Sequence, residues 1–302
     1  MPLRDAKGRR RLMSQERRLP GNADNHPGVI ALHERPLVLD VDGTLILADS
    51  EQWNEPRPLL GAAEFLTALR EMGRPFLLLT NGTARTPDDY VERLQAAGLD
   101  VRPGELLTPA VVAAELLVHH YPGEPVFVLG DNGTRQPLAA RGIRLLDRSE
   151  ATAARIVFVG WAPALTYEDL TAAARAIWQG AEFWTAVTAR ALAAQGGRAP
   201  AMGGAIMAAV AHVTATQPRL IGKPAPEALE VAARSLRTPL HELVMIGDDL
   251  EIDVSMARRA GCSAILVRTG TDRDAPADAA DLSVENLSEL LSLIKGNRRH
   301  YS

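Results

Sequence analysis

The chain has 302 residues, 46% hydrophobic and 23% charged, with a formal net charge of -4. That composition is globular, with room for one large or two moderate domains, and the mild charge excludes nucleic acid and anionic membrane as expected partners. No apolar stretch approaches the ~20 residues that a membrane span requires.

The first residues, MPLRDAKGRRRLMSQERRLP, are basic and lack an apolar core segment, so they do not read as a secretory leader. Residues 1–30 are expected to form a disordered basic tail. PLVLD (36–40) reads as a strand. GAAEFLTALREMG (61–73) reads as a helix, with Ala62, Phe65, Leu66, Leu69 and Met72 on one face and Gly73 as its stop. PFLLLT (75–80) is a second strand, and TPDDYVERLQAAG (86–98) a helix with Thr86 as N-cap and Pro87 in the first turn.

Residues 122–202 read as a separate module, bracketed by YPGEP and QGGRAPAMGG. It has its own strands, PVFVLG (125–130), RIVFVG (155–160) and EFWTAV (182–187), and its own helix, YEDLTAAARAIWQ (167–179). Near the C-terminus, ELVMIGDD (242–249) is strand-like, a helix is expected over 250–260, and AILVR (264–268) is a further strand. The lone cysteine, Cys262, is expected as a small buried hydrophobe, which fits a reducing cytoplasm. Strands alternate with helices and are apolar throughout. That pattern predicts an α/β fold, a doubly wound and mainly parallel sheet from residues 31–121 and 203–302, with an inserted α/β domain at 122–202.

Ligands of doubly wound sheets sit at the carboxyl ends of the strands. The first strand ends in Asp40, with Asp42 two places on; the second ends in Thr80-Asn81-Gly82; the late strand ends in Gly247-Asp248-Asp249. Crowded carboxylates repel one another unless a cation lies between them, and aspartate oxygens are ligands of the kind that Mg²⁺ takes. The Thr80 hydroxyl, the amides of Asn81 and Gly82 and the ammonium of Lys223 in GKP offer an anion-binding side. Only three of the 33 basic residues are lysines, so a lysine in GKP is notable in a chain that otherwise writes arginine; a compact ammonium fits among carboxylates where a planar fork does not. Together these groups predict phosphoryl transfer with an aspartate nucleophile.

DVDGT, LLTNG, GKP and GDDLEID resemble, in order, the four motifs of the haloacid dehalogenase superfamily. The stretch from Gly61 to Val101 is similar to the NagD-like, p-nitrophenyl phosphatase and phosphoglycolate phosphatase branch, and so is the placement of the inserted module. The resemblance covers about residues 35 to 295 and implies a Rossmannoid core with a cap, Mg²⁺ as cofactor, a small phosphate ester as substrate, and a possible homodimer through the cap. It implies that Asp40 attacks phosphorus and that Asp42 protonates the leaving oxygen, then activates water. By the same resemblance Thr80, Asn81, Gly82 and Lys223 hold the phosphoryl group. Asp40, the main-chain carbonyl of Asp42 and Asp248 would bind the metal, with Asp253 and Asp249 behind them.

Two stretches depart from the branch. TAVT (185–188) stands where a Thr-Asn-x-Asp run is usual, and ADSEQWNEPRP (48–58) is longer than usual. Both are expected to face the leaving group, which points to an altered substrate. Trp161 reads as core packing more readily than pocket lining, His119 and His120 as helix-end surface groups, and Arg190 and Arg198 as solvated loop residues or grips for an acidic substrate. The rival reactions are a phosphomutase or phosphotransferase, a dehalogenase, and a non-catalytic phosphate binder. The last would lack one of Asp40, Asp42 and Asp248. Neither a G-x-x-x-x-G-K-[ST] loop nor a G-x-G-x-x-G turn after a strand supports a nucleotide site.

Overall fold

The computed structural model describes residues 35–195 and 197–298; the basic-tail expectation lies outside them. In chain order the strands are β1 (Leu37–Asp40), β2 (Ile46–Leu47), β3 (Arg57–Pro58), β4 (Phe76–Leu79), β5 (Leu106–Leu107), β6 (Val126–Leu129), β7 (Leu145–Leu146) and β8 (Ile156–Val159). They continue with β9 (Glu182–Thr185), β10 (Ala191–Ala194), β11 (Gly197–Pro200), β12 (Arg219–Leu220), β13 (Val244–Gly247), β14 (Ser263–Val267) and β15 (Leu282–Val284).

The first sheet has the order β15-β14-β13-β1-β4-β5, and its strands pair in parallel. Period-two alternation sends its side chains to two helical layers. Leu37, Leu39, Phe76, Leu78, Val244 and Ile246 share an apolar cluster with Phe65, Leu66, Leu94 and Leu290, from helices Ala62–Glu71, Pro87–Ala96 and Leu287–Arg298. Val38, Leu77, Leu79, Met245 and Leu266 share the other with Val112, Leu116, Leu229 and Met256. Strands buried on both faces must be apolar at every position, as the sequence has them.

The second sheet, order β12-β9-β8-β6-β7, is also parallel. Its last strand pairs with β9 through Arg219↔Trp184 and Leu220↔Thr185. Ile206 and Val210, from helix Met202–Thr214, pack with Phe127, Val157 and Phe183 of this sheet. The inserted unit therefore runs to about Leu220, past the expected boundary at 202. The boundary lay unseen because helix Met202–Thr214 reads as an ordinary apolar helix of either domain.

Helix Pro109–His120 lies between the sheets. It joins the same buried cluster as Leu79 of the first sheet and Val128, Phe158 and Trp184 of the second. This explains its burial at Pro109, Ala110, Val112, Ala113, Ala114, Leu116 and Leu117, which leaves no polar stripe of useful width. Its end, His119 and His120, is exposed as expected. Cys262 is buried, its thiol donates to Leu240 O at 3.0 Å, and burial pushes it up to about 11. Expected element ends shift by at most two residues. The largest change is at 250–260, where a wide π-type turn (Leu250–Val254) precedes a short helix (Ser255–Ala260).

Candidate active site

Strand register brings the site together. Asp40 is level with Leu79 of β4, so Thr80 follows directly beyond it. Leu39 is level with Ile246 of β13, so Gly247 and Asp248 come to the same rim. β1 has β13 on one side and β4 on the other, and the chain leaves it toward both. That is a topological switch point, where the crossovers diverge and leave a crevice at the strand ends.

Three carboxylates meet there. Oxygens of Asp40, Asp248 and Asp253 lie within 4.8 Å of one another, and the three residues are 3%, 2% and 1% exposed. Lys223 enters between them: its ammonium donates to Asp40 Oδ1, and to Asp253 Oδ1 at 2.8 Å. Thr44 donates its hydroxyl to Asp40 Oδ2 at 3.2 Å, and the Thr271 amide donates to Asp248 Oδ2 at 2.6 Å. Gly43 and Gly270 press on the Asp248 carboxylate so closely that any Cβ there would collide with it.

One ammonium against three buried carboxylates leaves net negative charge in a dry place. Burial, reinforced by Asp248, pushes Asp40 up to about 7 against the opposing pull of Lys223. Burial also raises Asp248, with Asp253 adding to it, and raises Asp253 against Lys223. Burial disfavours the Lys223 charge, but Asp253 and Asp40 outweigh it and hold the ammonium above its ordinary value. A divalent cation among the carboxylates reverses this strain, since it favours the ionised form of each. The donor set, all hard oxygens, suits Mg²⁺.

Asp42 stands beside this cluster. Its Oδ2 accepts from the Thr80 hydroxyl at 3.3 Å, and its Oδ1 is buried with no hydrogen-bond partner among the described residues. Burial, then the Asp40 charge, pushes it up to about 7. Thr80 is 1% exposed and in turn accepts from the Gly82 amide at 3.0 Å. The Asn81 carboxamide brackets the main chain of Lys223, accepting from its N–H at 2.7 Å and donating to its carbonyl at 2.9 Å. The structure thus gives the Asn81 side chain to orienting Lys223. The helix after Gly82 starts only at Pro87, with a Thr86–Asp89 capping box at its N-terminus, so the Asn81 and Gly82 amides are not part of a helix end.

Asp249 is set apart from the ion cluster by its partners: its Oδ1 accepts from the amides of Glu251 and Ile252, both at 2.9 Å, and caps the turn. This is helix-start capping, which the dipole favours without catalysis. Asp253 is more central than expected, as a member of the buried triad. Trp161 is half-buried at the end of β8, its amide donating to Thr83 Oγ1 at 3.0 Å. Arg190 and Arg198 are exposed on the β10–β11 hairpin. Thr185 is buried, its hydroxyl donating to Val187 O at 3.1 Å.

Sequence reasoning missed Thr44, Gly270 and Thr271. A signal existed for the last two: RTGTD (268–272) follows β14, and the strand-end rule that found Asp40 and Asp248 applies there as well.

A doubly wound parallel sheet with four convergent motif ends and an inserted second sheet defines a class of hydrolase. The model of the haloacid dehalogenase-like hydrolases matches residues 37–144, and a related HAD-hydrolase-like model matches 220–290. An acid sugar phosphatase of Staphylococcus haemolyticus is 29% identical over 233 residues, 77% of this chain and 84% of its own. A hypothetical protein of Pyrococcus horikoshii OT3 superposes with a TM-score of 0.76 at 30% identity, covering 85% of this chain and 98% of its own. A glycerol phosphate phosphatase of Mycobacterium tuberculosis, solved in complex with magnesium, gives 0.75 at 28% identity, over 86% of this chain and 78% of its own. The chain belongs to the haloacid dehalogenase-like hydrolase family. Within it, this is a phosphatase of the NagD-like branch.

Proposed function

We propose that this phosphatase is a Mg²⁺-dependent phosphomonoester hydrolase that acts on a small phosphorylated metabolite through an aspartyl-phosphate at Asp40. The observation that carries the reading is the buried Asp40–Asp248–Asp253 triad with Lys223 inside it and Asp42 alongside. Asp40, the Asp42 carbonyl and Asp248 would hold the ion, with Asp253 close behind. The ion supplies charge neutralisation for the approach of an anionic phosphate to a carboxylate.

An Asp40 carboxylate oxygen bonds to phosphorus as the bond from phosphorus to the ester oxygen breaks, and Asp42 gives its proton to that oxygen. Asp42, now a carboxylate, takes a proton from water. The water oxygen bonds to phosphorus, the Asp40–phosphorus bond breaks, and inorganic phosphate leaves with Asp40 regenerated. Lys223 offsets charge on Asp40 and the phosphate throughout. The Thr80 hydroxyl and the Gly82 loop line the phosphate side. The names of the relatives favour a sugar or polyol phosphate, while TAVT and the long 48–58 stretch favour a leaving group of this chain's own choosing. Dimerisation through the second sheet belongs to the same reading.

The test is phosphate release from a panel of phosphorylated metabolites with Mg²⁺. Chelation is expected to stop turnover reversibly, and Asp40→Asn to reduce it by at least ~10³-fold. Near wild-type activity in Asp40→Asn would refute the mechanism.

A further inference from the structure

The turn after β13 presents four successive amides, and aspartates take all four. The Asp249 amide donates to Asp253 Oδ2 at 3.3 Å, and those of Glu251 and Ile252 donate to Asp249 Oδ1, both at 2.9 Å. The Leu250 amide donates at 2.7 Å to Asp272 Oδ2, 22 residues further along the chain. The opening amides of a helical turn have no partner inside it, and a nearby carboxylate commonly takes them. Asp249 and Asp253 belong to the turn itself. Asp272 comes from the RTGTD connection after β14, which none of the four sequence motifs covers.

Asp272 does more than cap. Its own amide donates to the Asp248 carbonyl at 3.1 Å, so one residue brackets the main chain from Asp248 to Leu250. The rest of its connection closes on the Asp248 carboxylate. The Thr271 amide donates to Oδ2 at 2.6 Å, and Gly270 lies against the carboxylate. The Thr269 hydroxyl donates at 2.5 Å to the carbonyl of Gly43, which presses on the same carboxylate. Asp272 is not one of the three carboxylates that converge on the rim.

Those three repel one another, and any of them gains by turning away. We propose that Asp272 is a positioning residue for Asp248: it fixes the backbone of residues 248–250 so that the Asp248 carboxylate stays beside Asp40 and Asp253 before any ion arrives. The inference rests on Asp248 as a Mg²⁺ ligand in the reading above. With the carboxylates already gathered, the ion need not gather them.

Asp281 supplies the matched control. It brackets Ala264 in the same way, its amide donating to Ala264 O at 3.1 Å and its carboxylate accepting from the Ala264 amide at 2.8 Å, at the amino end of β14 and away from the rim. The experiment is isothermal titration calorimetry with Mg²⁺ alone on the full chain freed of metal, with the melting temperature of each variant. Asp272→Ala is expected to weaken Mg²⁺ binding by ~10-fold or more, the usual effect of losing a partner behind a metal ligand. Asp272→Asn keeps an oxygen for the Leu250 amide and is expected to stay within ~3-fold of wild type. Asp281→Ala is expected to lower the melting temperature and leave the Mg²⁺ affinity unchanged. If Asp272→Ala does not fold, Asp272→Leu decides, since it keeps the branched shape without an oxygen. Wild-type affinity in the Asp272 variant, or an equal loss in Asp281→Ala, overturns the role of Asp272. If Asp248→Asn binds Mg²⁺ as wild type does, or wild type takes up none, the reading of Asp248 as a ligand fails instead, and the two failures are told apart.

Discussion

Two regions follow the first strand, the rim of the first sheet and the 48–55 loop, and they are held by different means. The rim acts through side chains of fixed chemistry: carboxylates, one ammonium and two hydroxyls, gathered by parallel strand register. The loop acts mainly through its main chain, which arginines, a tyrosine and a glutamine hold in place. The difference teaches that residue type is constrained where charge must be handled. Where only shape must be held, many sequences serve.

The comparison is sharpest at Lys223. If the rim needs a compact ammonium, Lys223→Arg is expected to lower kcat by ~10²-fold or more, because a planar fork does not fit a residue 6% exposed between Asp40 and Asp253. Steady-state kinetics with Mg²⁺ checks this, and an active arginine variant would make the rim as tolerant as the loop. Next comes the cost of crowding carboxylates. Asp248→Asn removes one negative charge while keeping an acceptor for the Thr271 amide. Without metal it is expected to melt about 2–5 °C higher than wild type, and to lose most of the rise that Mg²⁺ gives wild type. Differential scanning fluorimetry with chelator and with Mg²⁺ reads both.

The smallest effect belongs to the loop. Helix Met202–Thr214 starts at Ala201, with no side-chain cap and no acid in its first turn. Burial raises the Glu51 carboxyl, and the Met202 and Gly203 amides and the Trp161 side chain oppose that rise. Glu51→Ala is therefore expected to cost about 1 kcal/mol, the usual value of a lost cap, visible as a fall in melting temperature of a few degrees. A loss much larger than this would make the loop a main support of helix Met202–Thr214.

The same contrast decides what was legible in the sequence. Asp40, Asp42, Thr80 and Asp248 stood out because each ends or follows an apolar strand, and strand ends converge in this fold; Lys223 stood out instead as one of only three lysines, in GKP. Helix Pro109–His120 and the extent of the second unit to Leu220 were not legible as boundaries. A helix buried around most of its girth carries no clear stripe to say which sheet it serves. The Asn81 carboxamide on the Lys223 main chain was hidden for another reason: it joins residues 142 apart in sequence. The left-handed backbone of Trp53, at φ 48°, could not be found by pattern either, since no residue type announces it.

The central claim is that Asp40 takes the phosphoryl group in a site whose carboxylates are neutralised by a divalent ion. Reaction with a good substrate and Mg²⁺, quenched in borohydride, reduces an aspartyl-phosphate to homoserine, which peptide mass spectrometry locates. The account predicts homoserine at position 40, dependent on both substrate and Mg²⁺. Homoserine at another aspartate, or none while phosphate is still released, would contradict it.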